Sequence, residues 1–457
     1  MQAAAKRGSP PKRTHEVRDP IHVFVRLDTD ERRLLDKHPL QRLRHIHQLA
    51  LTYLVYPGAT HMRFEHALGV MELAGRVFDV VTSRDNVLQS VEGIIERDNL
   101  PYWRRVLRMA ALFHDVGHLP FSHAAEGYLL PHGWSHELLT LEVIRSPELE
   151  KAWGDIKVQR EDVAKLAVGP RKYRAHDGCQ VKFTDWEAIL AEIIVGDSFG
   201  VDRMDYLLRD SHHSGVAYGR FDHYRLIDTM RILPKEYEES AEPALGVQVG
   251  GIHTAEALLL ARYFMYTQLY FHPVRRAYDI HLRDFLRGWL PGGTFPLDLP
   301  SYLAITDNEV MSAVLAAAAD PAKPGHIHAK RIVCRGHYQK LYERNPHDQE
   351  RNPDAPQLVY EAVRDRYGDD VVRLDSYRER DRASDFPVLE DDDRIASSWA
   401  ISSVLKEVPL LAVDYILIER SRRDEAAAWL DMRRDDIIRG SVRESGEETG
   451  DGTTARA

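Results

Sequence analysis

The sequence predicts a mainly α-helical protein with a smaller α+β lobe near its C-terminal end. Apolar side chains recur at helical intervals through the first 290 residues, whereas the clearest strand pattern falls late in the chain. Glycine and proline cluster between these two parts. With 457 residues, the chain is long enough for one large domain with appendages, or for two or three domains.

The bulk composition is that of an ordinary globular protein, with 44% hydrophobic and 29% charged residues. A net charge of −10 argues against a general nucleic-acid coat or a binder of anionic membranes, so nucleic acid stays an open partner that the charge does not indicate. Cys179 and Cys334 are the only cysteines, which favours a reducing, cytoplasmic location without a disulfide framework. No apolar run approaches the roughly 20 residues that span a bilayer, so we expect no membrane segment.

Helical periodicity predicts four helices in the first part of the chain, after a flexible basic tail at residues 1–15. The first helix covers residues 66–81, where apolar side chains fall three or four positions apart. The second covers residues 103–114 and is followed closely by a glycine. The third and fourth cover residues 186–211 and 253–287, and the fourth is rich in aromatic side chains.

Shifts in composition predict the domain boundaries. We expect a helical domain over residues 16–290, followed by a boundary at 291–300 that is rich in glycine and proline. An α+β lobe over residues 300–440 is expected next. Residues 441–457 contain almost no apolar side chains and are predicted to be a disordered tail.

Within the predicted lobe, three segments have distinct patterns. Residues 344–356 are typical of a long polar loop. Residues 411–418, Leu-Ala-Val-Asp-Tyr-Ile-Leu-Ile, form the clearest strand pattern in the chain. Residues 423–438 are then predicted to form a terminal helix.

Two histidines and two aspartates from three of the predicted helices are candidate metal ligands: His66, His114, Asp115 and Asp202. Two imidazoles and two carboxylates can hold one divalent ion and leave positions open for water and a phosphate oxygen, which indicates a metal-dependent phosphohydrolase. Nitrogen and oxygen donors admit Mn, Fe, Zn, Co or Ni. The alternative is that His66 is an ordinary residue of a helix face and Asp202 a surface carboxylate.

Six sequence blocks resemble the HD-domain phosphohydrolases, and within them the deoxynucleoside triphosphate triphosphohydrolases. The blocks occur in the family's order and lie within residues 18–290. They are Arg-Asp-Pro-Ile-His at 18–22, Gln-Arg-Leu-Arg-His-Ile-His-Gln-Leu at 41–49, and the segments 56–70, 113–123, 134–137 and 201–215. The remaining residues, 300–457, match only loosely.

The resemblance implies a helical HD-domain core and a reaction that converts a dNTP into a deoxynucleoside and inorganic triphosphate. It also implies the four metal ligands named above, with Mg²⁺ accompanying the substrate triphosphate. By the same resemblance, His136 is the general acid, Glu126 orients it, His118 contacts phosphate, and Arg63 neutralises developing charge.

The resemblance further implies a set of substrate-binding residues: Gln48, Leu49, His123, Arg203, Tyr206, Asp210, Arg262, Tyr270 and His272. Arg203 stands where part of the family has lysine. Two departures concern the rest of the family pattern, because Pro273 occupies the place of a common phosphate-binding lysine and Val23 that of a glycine. Arg262 is expected to compensate for the missing lysine.

Asp36, Gln41 and Arg44 match residues that bind an activating guanine nucleotide in a vertebrate member of the family. The alternative for these three residues is a salt bridge on a helix surface. The resemblance also implies a homo-oligomer, which is a dimer, a tetramer or a hexamer.

Two other functions stay open at the level of sequence. The first is a different HD-type phosphohydrolase or nuclease that acts on another nucleotide or on single-stranded nucleic acid. The second is a nucleotide-sensing protein without catalysis. The match at residues 206–210 favours the dNTP reaction, the loss of lysine at Pro273 leaves the first alternative open, and a complete metal site argues against the second.

Overall fold

A computed structural model describes residues 14–122, 126–178, 180–235, 242–379 and 385–440. The predicted tail at 441–457 lies outside the described residues, as do all but the last two residues of the tail at 1–15. Within the described part of the chain, no helix combines the length and the apolar character needed to cross a membrane.

The prediction of a mainly α-helical protein with a smaller α+β part is confirmed. The α-helices are α1 Thr29–Leu35, α2 His38–Arg42, α3 Arg63–Val81, α4 Leu100–Phe113, α5 Glu126–Leu129, α6 His136–Arg145, α7 Pro147–Ile156, α8 Arg160–Asp177, α9 Asp185–Val195, α10 Val201–Ser214, α11 His223–Thr229, α12 Ile252–Met265, α13 Pro273–Trp289, α14 Leu299–Leu303, α15 Asp307–Ala319, α16 His326–Val333, α17 Pro346–Arg351, α18 Ala355–Tyr367, α19 Ser398–Ile401, α20 Ser403–Glu407 and α21 Arg423–Arg439. Short 3-10 helices span Leu43–His45, Ala50–Leu54, Arg84–Asn86, Glu92–Ile94, Arg97–Asn99, Val249–Gly251, Pro291–Gly293 and Arg420–Arg422.

The strands form three small sheets. They are β1 His15–Asp19, β2 Val23–Leu27, β3 Met230–Pro234, β4 Pro243–Gln248, β5 Gln339–Glu343, β6 Val372–Arg378, β7 Pro387–Leu389, β8 Ile395–Ser397 and β9 Ala412–Ile418. β1 and β2 form a hairpin, the second sheet has the order β3-β4-β7-β8, and the third has the antiparallel order β5-β9-β6.

Helices α3 and α4 lie in the middle of the main hydrophobic core. Leu68, Val70, Leu73 and Val77 of α3 are all buried, as the helical spacing predicted. α4 ends at the fully buried Phe113, and His114 is its C-terminal cap residue. The His-Asp dyad therefore begins where a core helix ends, inside the protein.

The third predicted helix is divided in the structure. α9 ends at Val195 and α10 begins at Val201, so the expected continuous helix over 186–211 is wrong. A Cβ added to Gly200 would come within 2.7 Å of two backbone carbonyl oxygens, those of Ile194 and Gly196. Glycine is needed at this close turn of the backbone, and the turn re-aims α10 so that its first residues face α3.

The fourth predicted helix is also interrupted. A π-helical turn at Tyr266–Tyr270 follows α12, and α13 begins at Pro273. Proline lacks the N–H that a continuing helix would use and is well accommodated in the first turn of a new helix, which explains the break within 253–287. The turn sets Tyr270 and Phe271 at the junction of the two helices.

The C-terminal residues are divided among the main core and two smaller hydrophobic clusters, one of which contains Tyr338, Tyr415 and Leu417. β5, β6 and β9 pack with α18 and α21 around a second hydrophobic cluster, and β9 and α21 match the predicted strand and helix. The expected polar loop at 344–356 instead contains α17, which Asn345 caps by accepting a hydrogen bond from Asp348 N. Residues of α14, α16 and β7 join the main core, and the domain boundaries stay a prediction.

Candidate functional site

Three helices bring the predicted metal ligands together. His66 lies in the first turn of α3, His114 caps α4, and Asp202 lies in the first turn of α10. One donor atom from each of these residues lies within 4.8 Å of the other two. The Nε2 atoms of His66 and His114 are 3.1 Å and 3.4 Å from Asp202 Oδ1, so all three point at one position.

Asp115 is the fourth residue of this group, and its carboxylate lies beside both imidazoles. Its Oδ1 lies 3.4 Å from His114 Nε2, and its Oδ2 lies 3.7 Å from His66 Nε2. Arg63, one turn before His66 on α3, donates a hydrogen bond to Asp115 Oδ2 and a second one to Ser122 Oγ at 2.8 Å. The carboxylate is thereby held beside the two imidazoles by a cation on its other face.

The donor chemistry of His114 fits a metal ligand. Its Nδ1–H donates to the carbonyl oxygen of Ala111 at 2.8 Å, which leaves the lone pair on Nε2. Nε2 is buried and makes no hydrogen bond with any described residue. A buried nitrogen lone pair that faces two carboxylates is the arrangement that a divalent cation satisfies.

Asp205 fixes the orientation of His66, although sequence analysis did not select it. Asp205 Oδ2 accepts from His66 Nδ1 at 2.8 Å, so that Nε2 is directed towards Asp202. A carboxylate behind a ligand histidine fixes the tautomer and raises its basicity. The signal available in the sequence was the position of Asp205 on α10, three residues after Asp202.

Asp205 is itself held by a buried network. Its carboxylate is fully buried and accepts from His22 Nε2 at 2.6 Å and from Arg209 Nε at 2.8 Å. Arg209 also donates to Asp19 at 2.9 Å. Every hydrogen-bonding group of this network comes from a segment that resembles the family, and together they place α10 against α3.

The carboxylates around His66 favour its protonated form. Burial alone would lower the pKa of His66, but hydrogen bonds to Asp202 and Asp205 outweigh it and raise the pKa to about 10. Burial opposes ionisation of Asp202, yet the two imidazoles hold the pKa of its carboxyl well below its usual range. A cation that binds here must displace the proton of His66, so cation affinity should increase with pH.

Two stacked imidazoles next to this group have opposite electrostatic environments. The rings of His118 and His136 are 4.0 Å apart and nearly parallel. Burial and the nearby Arg63 hold the pKa of His118 well below its usual range. Burial would also lower the pKa of His136, but Glu126 accepts from its Nδ1 at 2.5 Å and the net shift is upward. The surroundings therefore favour the neutral form of His118 and the protonated form of His136.

A cavity of about 580 Å³ opens from these groups, a size typical of small-molecule sites. Its walls include Arg63, Asp115, His118, His136 and Asp202. The cavity also contains five of the predicted substrate-binding residues: Gln48, Leu49, Tyr206, Asp210 and Tyr270.

Asp210 is held in the wall by two neighbours. The hydroxyl group of Tyr270 donates to Asp210 Oδ2 at 2.7 Å, and His61 Nε2 lies 2.7 Å from Asp210 Oδ1. The rings of Tyr206 and Tyr270 meet edge to face at 6.2 Å. His61 was not selected from the sequence, although it lies within the matching block at 56–70.

Other predicted residues lie elsewhere. Arg262 Nη2 donates to Glu379 at 2.5 Å, and its guanidinium lies 5.2 Å from the centre of the ring of Tyr266, which lines the cavity. The expected compensation for Pro273 stays a prediction. His272 packs edge to face on Tyr56. Arg203 is half-buried on α10 and also lies outside that wall.

Two further groups of predictions remain open. His123 lies outside the described residues. In the predicted activator group, Arg44 Nε donates to Gln41 Oε1 at 2.9 Å and its guanidinium lies 3.5 Å from the centre of the Phe64 ring. Asp36 faces Arg32 at 3.7 Å on the surface. The side chains of Asp36, Gln41 and Arg44 therefore all have polar partners within the chain.

The far part of the cavity is built from residues that sequence analysis did not select. Arg275, Arg276 and Asp279 of α13 line it, together with residues 374–377 of β6. Arg283, one turn after Asp279, also lines the cavity, but its guanidinium lies 4.7 Å from the centre of the Tyr128 ring on α5. The Arg275-Arg276 pair was a visible basic signal in the sequence. Nothing in the local pattern of β6 indicated that it would face α13, because their contact spans about a hundred residues of chain.

Comparisons with known proteins identify two family regions. The model described as HD domain matches residues 63–169, and the model described as HD associated region matches residues 221–344. A crystal structure of a hypothetical protein from Aquifex aeolicus superimposes with a TM-score of 0.74 and 30% identity, and the match covers 92% of this chain and 100% of that one.

Two curated proteins are also similar to this chain in sequence. An uncharacterized protein of Methanocaldococcus jannaschii, MJ1154, is 34% identical over 58% of this chain and 48% of its own length. The deoxynucleoside triphosphate triphosphohydrolase SAMHD1 of Mus musculus is 30% identical over 72% of this chain and 54% of its own length. The chain thus spans about half the length of the curated relatives that it matches.

Proposed function

Because this chain belongs to the HD-domain phosphohydrolase family, we propose that it is a divalent-metal-dependent enzyme that hydrolyses deoxynucleoside triphosphates. The products would be a deoxynucleoside and inorganic triphosphate. In this reaction water adds to the α-phosphorus, the bond from that phosphorus to the 5′ oxygen breaks, and the 5′ oxygen takes a proton.

One observation carries the proposal. A single cavity contains two of the predicted metal-ligand carboxylates, those of Asp115 and Asp202, together with the predicted sugar residues Tyr206 and Asp210. A nucleoside with a charged phosphate chain spans such a cavity with its sugar against the tyrosine and its phosphates near the cation site. A general phosphoesterase would have no need of the second group.

His66, His114, Asp115 and Asp202 would hold the divalent cation, which we take to be Mn, Fe, Zn, Co or Ni. When bound, the cation lowers the pKa of a water molecule and polarises a phosphate oxygen. Asp205 keeps His66 oriented for this role through its hydrogen bond to Nδ1. Arg63 lies at the same end of the cavity and offsets negative charge on the triphosphate as the α-phosphorus reacts.

His136 is the proton donor in this proposal. Its hydrogen bond to Glu126 fixes Nδ1 and raises the pKa of the imidazole, which favours the protonated ring that would give its proton to the leaving 5′ oxygen. The neutral ring of His118 stacks on His136 and donates to a phosphate oxygen. A site that packs Tyr206 closely against the sugar would disfavour a ribose 2′-hydroxyl by steric contact.

The finer properties of the protein belong to the same proposal. We expect Mg²⁺ to accompany the substrate triphosphate, a homo-oligomer as the active form, and a cytoplasmic location. An activating nucleotide at Asp36, Gln41 and Arg44 has weaker support, because Gln41 and Arg44 already bond to each other.

A product assay tests the reaction class. The purified protein is incubated with each of the four dNTPs and the matching rNTPs in the presence of Mn, Mg, Fe or Co. We expect inorganic triphosphate and a deoxynucleoside, with dNTPs preferred to rNTPs. Orthophosphate, pyrophosphate or a nucleoside monophosphate as the product would contradict the proposal and favour another HD-type phosphohydrolase.

Variants of the ligands test the role of the cation. Asp202→Ala, and a His114→Ala, Asp115→Ala double change, should abolish turnover and lower the amount of tightly bound metal in the purified protein. Asp431→Ala is the matched control, because Asp431 is exposed on α21 and lies outside the cavity. Full activity of either ligand variant after metal depletion would reject the metal mechanism, and binding of dNTPs without any turnover in the native protein would favour a nucleotide sensor.

A further inference from the structure

Contacts along the cavity lead from the metal ligands to a charged far end that the proposed reaction does not use. Tyr206 lies one helical turn after Asp202 on α10, and its ring meets that of Tyr270. The carbonyl oxygen of Tyr270 accepts from Arg275 Nη1 at 2.5 Å. Arg275 in turn faces Asp279, one turn later on α13. With the sugar at Tyr206 and Tyr270, the far end is the place for the base.

Asp279 has the features of an incomplete hydrogen-bonding group. It is only 8% exposed and lines the cavity. Its Oδ2 lies 3.4 Å from Arg275 Nη2, whereas its Oδ1 is buried and makes no hydrogen bond with any described residue. A buried carboxylate oxygen without a donor is costly, so this atom is poised for an N–H group of a ligand.

Arg275 keeps this carboxylate in place. Its Nε donates to Thr52 Oγ1 at 3.1 Å, and its Nη1 donates to the carbonyl oxygen of Tyr270. These two bonds fix the guanidinium beside Asp279. Burial raises the pKa of Asp279, and Arg275 opposes that shift from one side. Donors on the open side would complete the stabilisation of the ionised form.

β6 supplies the opposite wall of the far end. Arg276 donates to both carboxylate oxygens of Asp375, with Nε 2.6 Å from Oδ2, and so ties α13 to β6. This pairing satisfies both Arg276 and Asp375. Asp279 therefore remains as the acidic group of the far end with an unused acceptor atom.

We propose that Asp279 reads the base of the nucleotide and selects guanine. The inference rests on the proposed function, because it assumes that a deoxynucleoside triphosphate occupies the cavity. The carboxylate would accept from the N1–H and N2–H₂ groups of guanine, and β6 would close the pocket behind the base.

The arrangement of donors on the four bases supports this choice. An ionised carboxylate can only accept hydrogen bonds. Guanine presents two adjacent donors on its pairing edge. Adenine and cytosine present one amino group beside a ring-nitrogen acceptor, and thymine presents one N–H between two carbonyl oxygens, so each of them turns an acceptor towards Asp279. Unmatched acceptors at a buried carboxylate disfavour binding.

A comparison of dGTP with dITP isolates the proposed contact, since the two bases differ only in the N2 amino group. We measure kcat/KM for dGTP, dITP and dATP with the native protein and with Asp279→Asn. The native protein should prefer dGTP to dATP by roughly 10- to 100-fold, and dGTP to dITP by a smaller factor. The asparagine amide offers one donor and one acceptor, so Asp279→Asn should remove most of both preferences.

Ratios between substrates are independent of the folded fraction, because the same active molecules turn over every substrate in one preparation. Asp431→Asn, exposed on α21, is the control and should keep the native ratios. Equal kcat/KM for dGTP, dITP and dATP in the native protein would overturn the inference, as would unchanged ratios in Asp279→Asn.

Binding measurements separate this inference from the proposed reaction. In the Asp202→Ala background, calorimetry gives the dissociation constants of dGTP and dITP without turnover. A preference for dGTP that disappears when Asp279→Asn is added supports base reading even if the native protein releases a product other than triphosphate. Triphosphate release from all dNTPs at equal rates would leave the reaction standing and refute the role of Asp279.

Discussion

The carboxylate of Asp205 shows how much of this site depends on a residue that does not touch the proposed cation. It accepts from His66, His22 and Arg209, and all of these contacts are buried. Asp202, only three positions earlier, faces the cavity instead. Residues three apart on a helix share a face. On α10 that face lies partly on the cavity and partly in the buried core, so Asp202 is the candidate ligand and Asp205 holds His66 in place.

Gly69 of α3 makes room for this support. A Cβ at this position would lie 1.9 Å from Asp205 Oδ1 and 2.4 Å from Arg209 Nη2. We expect Gly69→Ala to lower the free energy of unfolding by about 1–3 kcal/mol through overpacking. Displacement of Asp205 should also weaken cation binding by roughly tenfold or more. Urea unfolding and calorimetry with Mn²⁺ measure the two effects.

Gly154→Ala on α7 is the matched control for that change. Nothing lies within 4 Å of a Cβ at Gly154, so the alanine should stabilise the protein by up to about 1 kcal/mol. If Gly69→Ala unfolds at the native urea concentration and binds Mn²⁺ as tightly as the native protein, the close packing of α3 on Asp205 is unimportant.

Glu192 of α9 should make stability depend on pH. Burial raises the pKa of its carboxyl to about 7, although Leu245 N donates to it at 3.1 Å. The folded state therefore keeps a proton that the unfolded chain loses above its ordinary pKa, so this group destabilises the fold as pH rises from about 4.5 to about 7. Glu192→Gln removes the effect and should add about 3 kcal/mol to the free energy of unfolding at pH 8.

Urea unfolding of both proteins at pH 4.5 and pH 8 measures this contribution, because the difference between them cancels all other titrating groups. The glutamine keeps an acceptor for Leu245 N. A difference in unfolding free energy that is the same at both pH values would show that Glu192 has the same pKa in the folded and unfolded states.

At the scale of elements, local signals begin helices and tertiary contacts divide them. Thr184 begins α9 with a reciprocal pair of bonds, since its side chain accepts from Glu187 N and Glu187 Oε2 accepts from Thr184 N. The end of α9, by contrast, is decided by the crowded backbone at Gly200. The apolar periodicity predicted one continuous helix through this turn, because the apolar pattern of α9 resumes in α10 with little change in phase.

The cap of α9 provides a prediction about this element. Thr184→Ala removes the acceptor for Glu187 N and should lower the free energy of unfolding by about 1 kcal/mol. Thr184→Ser keeps the hydroxyl oxygen and should lose much less. Thermal and urea unfolding compare the three proteins, and equal losses for alanine and serine would assign the effect to the threonine methyl group rather than to the cap.

At the scale of the whole molecule, the candidate cation site joins helices that are far apart in the chain. Its ligands come from α3, from the end of α4 and from α10. A cation that binds only the folded state stabilises it by mass action, by about 2.7 kcal/mol at a concentration 100 times its dissociation constant. Chelation should therefore lower Tm, and added Mn²⁺ should restore it.

The Asp202→Ala protein is the control for chelation. With one ligand removed, its Tm should respond little to the chelator or to Mn²⁺. A decrease in Tm of the same size in Asp202→Ala and in the native protein would mean that the stabilising cation binds at another place.

The sequence by itself determined the mainly helical class, the strand and helix near the C-terminal end, and the candidates His66, His114, Asp115 and Asp202. These features depend on local periodicity and on short motifs, which are visible in a single stretch of chain. The breaks within the two long predicted helices were missed, because a close backbone approach depends on what packs against it.

Only the tertiary structure decided which other groups complete the site. Asp205 meets His22 across 183 positions of chain, and Arg276 meets Asp375 across 99. The tertiary structure also pairs Arg262 with Glu379, and neither of these residues is part of the described cavity wall. Such contacts arise from the packing of helices and strands that are remote in sequence, and local patterns carry no information about which remote charges will face each other.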